Sequence, residues 1–144
     1  MSSQDTIRVA LRTPDAESRA QLLRALATDG ALDVTDENDP RRDITIVHAA
    51  LLLDTRTPQS TFPDDARTVV VYAPDDPALL AQFLIAGIRG YHCAGESWSK
   101  LRDVLHRVYA GEIRSDPLTM NELLQMYLQL RQQATMKLAD DHHH

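Results

Sequence analysis

"AGIRGYHCAGESWSKLRDVLHRVYAGE", residues 86–112, is the stretch whose reading decides the fold. "GYHCA" at 90–94 is short, largely apolar and flanked by glycines, as a buried strand should be. Ser97 follows as a helix N-cap, and Trp98, Leu101, Leu105 and Val108 then line one face at helical spacing. A strand feeding an amphipathic helix is the repeating unit of an α/β protein.

The unit recurs toward the N-terminus. "TVVVYA" at 68–73 is an apolar strand, and Asp76 with Pro77 opens a helix, "PALLAQFLIAG", that ends near Gly87. "ITIVH" at 44–48 is uninterrupted and suits a strand buried on both faces. "IRVAL" at 7–11 is a first strand. Thr13 is placed to cap the helix after it, with Pro14 at the first helical position and Asp15 and Glu17 in the first turn. That helix carries Leu22, Leu23, Leu26 and Ala27 and stops by Gly30. "ALDVT" at 31–35 is a second strand, and "DENDPRR" at 36–42 is a charged loop. "AALLLD", from residue 49, could begin a helix, but Pro58 and Pro63 make 49–67 read as irregular.

Alternating strands and helices predict a five-stranded parallel doubly wound α/β sheet. Its functional crevice lies at the carboxyl ends of the strands. The tail is a separate element. Asp116 and Pro117 start a helix, and Thr119 with Glu122 forms a capping box. Met120, Leu123, Tyr127, Leu130 and Ala134 recur at spacings of three and four, as in a coiled-coil seam. Two readings stand side by side: a dimer seam, and a helix packed on its own domain.

The composition narrows the function classes. The 144 residues make one domain of ordinary size, and 43% apolar with 25% charged residues fits a globular protein. The formal charge of −6, with no basic face, argues against direct nucleic-acid binding. No apolar run is long enough to span a membrane, and the start is not that of a signal peptide. The single cysteine, Cys93, excludes an internal disulfide and points to a reducing, cytoplasmic setting. The closing residues 142–144, "HHH", read as a tag remnant, which leaves His48, His92 and His106 as native histidines.

In order of elements the chain resembles the receiver domain of NarL/LuxR-type bacterial response regulators. The likeness rests on Ala86, Gly87, Gly90, Tyr91, Leu101 and the pair Gly111–Glu112, on "IRVALRTPDAESRAQLLRAL" with Arg19, and on "VVVYAPDDP". It divides the chain into a receiver-like domain at 6–115, a linker or dimerisation helix at 116–138 and a tag remnant at 139–144. The resemblance implies a receiver, flavodoxin-like fold. It also implies five chemical parts: an acidic pair for magnesium, a phosphoacceptor aspartate, a Ser/Thr and a Lys.

The matching positions here do not carry them. The acidic pair falls on Thr13 and Pro14, the Ser/Thr on Tyr72 and the lysine on Ala94. With "ITIVH" as third strand, the acceptor position is His48. A rival register, "LLLDTRTP", makes Asp54 the acceptor, with Pro58 four residues on. The 41 positions from Thr13 to Asp54 suit it, but the 18 from Asp54 to Tyr72 are too few for a strand and a full helix. In either register one crossover helix is shortened or missing. Without metal ligands a carboxylate has little to stabilise developing phosphoryl charge.

Other chemistry has little support. His48, His92 and Cys93 match no zinc spacing, and neighbours on a strand face opposite ways. Asp75 and Asp76 read as loop and helix cap. Trp98 is a partner anchor or, more simply, a packing residue. No Gly-x-Ser-x-Gly or P-loop pattern occurs. The expectation is a non-enzymatic pseudo-receiver of a bacterial transcription regulator with no cofactor and no metal. It would act as a homodimerisation or protein-interaction module and reach DNA only through a helix-turn-helix domain beyond this chain. The alternatives are a phosphoreceiver using Asp54, and a domain gated by a small molecule in the emptied crevice.

Overall fold

A computed structural model describes residues 6–53, 67–114 and 116–141, with side chains as far as Lys137. Five strands form one parallel sheet: β1 (Ile7–Arg12), β2 (Leu32–Thr35), β3 (Ile44–His48), β4 (Arg67–Ala73) and β5 (Gly90–Cys93). Their spatial order is β2-β1-β3-β4-β5. Helices α1 (Ala16–Ala27), α2 (Ala49–Leu53), α3 (Pro77–Ile85), α4 (Trp98–Tyr109) and α5 (Pro117–Asp141) complete it. The expected doubly wound sheet is the observed one.

Strand alternation sorts the core into two layers. Ile7, Val9 and Leu11 of β1, with Ile44 and Ile46 of β3, meet Leu22 and Leu26 of α1 and Leu101, Val104, Leu105 and Val108 of α4. The opposite face joins Val70, Ala73, Tyr91 and Cys93 to Leu80 and Phe83 of α3. Gly90 is where α4 comes closest to the sheet. A Cβ there would stand 3.0 Å from Val104 Cγ1 and 3.1 Å from Val108 Cγ2.

The crossover without a helix is the one from β2 to β3. Residues 36–43 make that connection by turns, stitched by Asp43 N–H to Arg8 O and Arg8 N–H to Asp43 Oδ2, both 2.8 Å. The sequence of the flanking strands gives the reason. On that side of the sheet β1 presents Arg8 and Arg12 and β2 presents Asp33, a polar strip unsuited to the apolar stripe of a helix. Arg12 instead meets Glu37 of the connection at 2.9 Å.

Several boundaries correct the sequence reading. The cap of α1 is Asp15, accepting from Ser18 N–H at 2.7 Å, not Thr13; Pro14 therefore lies outside the helix. The helix ends at Ala27, and Leu23 is exposed, while Ala25 takes the inward place. Residues 49–53 are helical. Helix α5 is capped by Asp116, which accepts from Thr119 N–H at 2.9 Å, so the Thr119–Glu122 capping box does not form. Thr119 is buried and faces Tyr91. The same helix runs to Asp141, into residues that the sequence reading assigned to a tag.

Candidate functional site

The carboxyl ends of β1, β3, β4 and β5 bring the sequence-singled positions to one rim. There β3 ends on His48 and passes directly into α2. Asp54 and Pro58, the rival register, lie outside the described residues. Thr13 is half-buried, Pro14 and Ala94 are exposed, and Ala94 N–H donates to Ala73 O at 2.9 Å.

Tyr72 shapes the rim. Regular alternation would send its ring to the α3 face, opposite Val71. Its φ is 56°, in the left-handed region that side chains rarely adopt, and the β4–β5 register shifts between Val70 and Ala73. This irregularity turns Tyr72 toward the α1–α4 face. Its ring stacks on His48 (centroids 4.5 Å apart, planes at 18°) and meets Trp98 edge-on at 5.9 Å. Trp98 in turn stacks on His92 at 5.4 Å and 18°. The Tyr72 hydroxyl donates to Gln21 Oε1 on α1. Each aromatic contact contributes roughly 0.5–1.5 kcal/mol beyond burial, and together they offset the ~1–2 kcal/mol cost of a left-handed side chain.

The ladder His48–Tyr72–Trp98–His92 thus fills the rim with rings. His48 Nδ1 accepts from Ala50 N–H at 3.0 Å, so the proton of the neutral ring sits on Nε2. Burial holds the His48 pKa below its usual value, with the nearby Asp15 carboxylate opposing it. His92 is buried, its Nε2 lies 2.8 Å from Ser97 O, and burial lowers its pKa too. Burial, with Asp15 and Glu17 adding to it, raises the Tyr72 phenol. The Asp15 carboxylate lies close enough to act on His48 and Tyr72, and it is engaged as the α1 cap. Among the described residues no three of His, Cys, Asp and Glu come together as a metal site. Cys93 faces the other layer, away from His48, and burial pushes its thiol up to about 11.

A second constellation was not legible as a site. Glu96, in the loop after β5, accepts both guanidinium arms of Arg114 at 2.9 Å and the N–H of Cys93 at 2.8 Å. Burial would raise the Glu96 carboxyl, but these bonds override it and hold the pKa at about 2. Arg114 also donates to Tyr91 O at 2.6 Å and lies over the Tyr91 ring, 4.5 Å from its centroid. The Tyr91 hydroxyl donates to Asp116, the cap of α5, and burial pushes its pKa to about 12. The loop beyond β5 is thereby tied to the start of α5. The only sequence signal was the tyrosine of the "GYHCA" strand, since residues 18 and 25 positions apart carry no local pattern.

The tail residues divide. Leu123 is half-buried, while Met120, Tyr127 and Leu130 are exposed, as is Ala134. Helix α5 packs on α3, and the two enclose an apolar groove of about 430 Å³ lined by Ile85, Met120, Leu123, Leu124, Tyr127 and Leu130.

Strand order 2-1-3-4-5 with helices on both faces now has known counterparts. A LuxR-family two-component response regulator from Aurantimonas sp. SI85-9A1 superimposes with a TM-score of 0.68 over 86% of this chain and 99% of its own, at 16% identity. The fold is that of a response-regulator receiver. The RcsB response regulator of Salmonella typhimurium matches with a TM-score of 0.66 at 14% identity, over 82% of this chain and 69% of its own. RcsB, in a structure of two dimers bound to two parallel DNAs, matches at 0.62 and 14%, over 83% and 68%. No protein-family model and no curated protein matches the sequence. At these identities the likeness carries the receiver fold alone. Among the described residues no helix is long and apolar enough to cross a membrane.

Proposed function

We propose that this receiver fold is a pseudo-receiver: a non-enzymatic regulatory domain of a bacterial transcription regulator that works without phosphorylation and signals by protein contact. One observation carries the reading. The rim where phosphoryl chemistry needs carboxylates, a hydroxyl and a cation is occupied by the stacked rings of His48, Tyr72 and Trp98. Neutral rings neither bind magnesium nor neutralise a phosphoryl group. The exposed apolar residues of α5 support an output by self-association, in keeping with the dimers of the similar RcsB fold. DNA would then be reached through a separate domain, because this chain is acidic.

The test is an amide NMR titration with magnesium and beryllofluoride, then with acetyl phosphate. The expected result is no magnesium-dependent shift at Thr13, His48, Tyr72 or Ala94. Saturable shifts at these residues or at Asp54 would overturn the reading.

A further inference from the structure

Helix α5 is far longer than its support. Its 25 residues extend about 37 Å, whereas the nine residues of α3 extend about 13 Å. The first turns of α5 lie on α3 and form the apolar groove; the second half continues beyond. Ile85, Met120, Leu124, Tyr127, Leu128 and Leu130 are each between 46% and 59% exposed. The run from Leu123 to Leu130, "LLQMYLQL", contains no charge. An isolated helix with such a surface is marginal in water, and charge depletion is the mark of an interface core.

Resting on the reading of α5 as the contact element, we infer that the groove is filled by the α5 of a second copy of this chain, running antiparallel. Three observations single out this occupant. Apart from Ile85, the groove-lining residues belong to the same helix as the projecting apolar side chains, so the face is self-complementary about a two-fold axis near Tyr127. An antiparallel crossing lays the unsupported second half of each helix along the other's groove, bringing Ala134 of one copy toward Met120 of the other. Charge agrees as well. Asp116 and Glu122 occupy the first part of α5, and Arg131 and Lys137 the second. Antiparallel pairing sets acid against base, while parallel pairing sets like against like. The terminal Asp140–Asp141 falls beyond the partner's Pro117 in this crossing. The six half-exposed side chains offer on the order of 500 Å² of apolar surface, and the intervening glutamines bring the face toward the ~800 Å² per partner of a stable dimer.

The experiment is sedimentation equilibrium of the full chain with Glu122→Lys, with Arg131→Glu and with both, plus cysteine pairing. The wild-type chain is expected to dimerise, each single variant to weaken the dimer about fivefold, and the double variant to recover it. Oxidising a mixture of Met120→Cys and Ala134→Cys chains is expected to give the mixed disulfide in excess of either homodimer. A chain that stays monomeric at tens of micromolar would overturn both the inference and the self-association reading. A dimer with Met120→Cys homodimer crosslinks and no charge-swap rescue would overturn the antiparallel groove alone. Beryllofluoride insensitivity, being independent of both, is read separately.

Discussion

The imidazole of His48 lies flat against the phenol of Tyr72, centroids 4.5 Å apart, at the carboxyl ends of β3 and β4. These are the adjacent strand ends from which a phosphoreceiver aims its acceptor and its hydroxyl. Here the two side chains engage each other, and the irregular backbone of β4 makes their contact possible.

That backbone makes an unusual prediction. Tyr72 sits at φ 56°, so Tyr72→Ala loses the ring contacts and keeps the left-handed strain. Tyr72→Gly loses the same contacts and relieves the strain. Glycine should therefore be the more stable of the two by about 1 kcal/mol, the reverse of the usual order within a strand. Urea unfolding of the two variants compares them directly; equal midpoints would mean that the conformation is not strained.

Acid should weaken the fold through the histidines. His48 and His92 have folded pKa values below 6.5, so the unfolded chain takes up protons first as pH falls. Stability is full above about 6.5 and declines as pH drops from there through the folded values. Replacing His48 with Asn and His92 with Gln should flatten the slope between pH 6.5 and 5, as followed by thermal unfolding across that range.

The Glu96–Arg114 pair should control how α5 is held. Truncating one partner of this part-buried, doubly hydrogen-bonded pair leaves the other partly uncompensated, and Arg114→Ala is expected to cost about 2 kcal/mol. Hydrogen exchange at residues 117–124 should accelerate with it, while exchange in β1 and β3 changes little. Glu96 is ionised in the fold down to about pH 2, so its contribution is present above pH 4.5 and lost between 4.5 and 2. Arg114→Lys should recover little, since a single ammonium cannot bond both carboxylate oxygens and lie on Tyr91.

Gly90→Ala tests the packing of α4 on the sheet. The added methyl would stand 3.0 Å from one valine methyl and 3.1 Å from another, so a cost of about 1–3 kcal/mol is expected. Pairing it with Val104→Ala, which removes the nearer methyl, should return part of the loss in a double-mutant cycle.

Much of the architecture was legible because it is written locally. Uninterrupted apolar runs such as "ITIVH" and helical spacing after Ser97 specify strand and helix without reference to distant residues. Caps were less legible. Thr13 and Asp15 are both capping types, and only the path of the chain leaving β1 selects Asp15. The missing crossover helix showed as irregular spacing, and its location between β2 and β3 followed only from where β3 pairs.

By itself, then, the sequence determined the α/β layering and the parallel sheet, because residue type and short-range periodicity carry those. Tertiary structure alone decided which side chains meet at the rim of the sheet. Nothing local in "VVVYA" announces that Tyr72 will reverse its face, nor that Glu96 will reach Arg114. Both depend on contacts between side chains far apart in the chain, made only when separate elements converge on one rim.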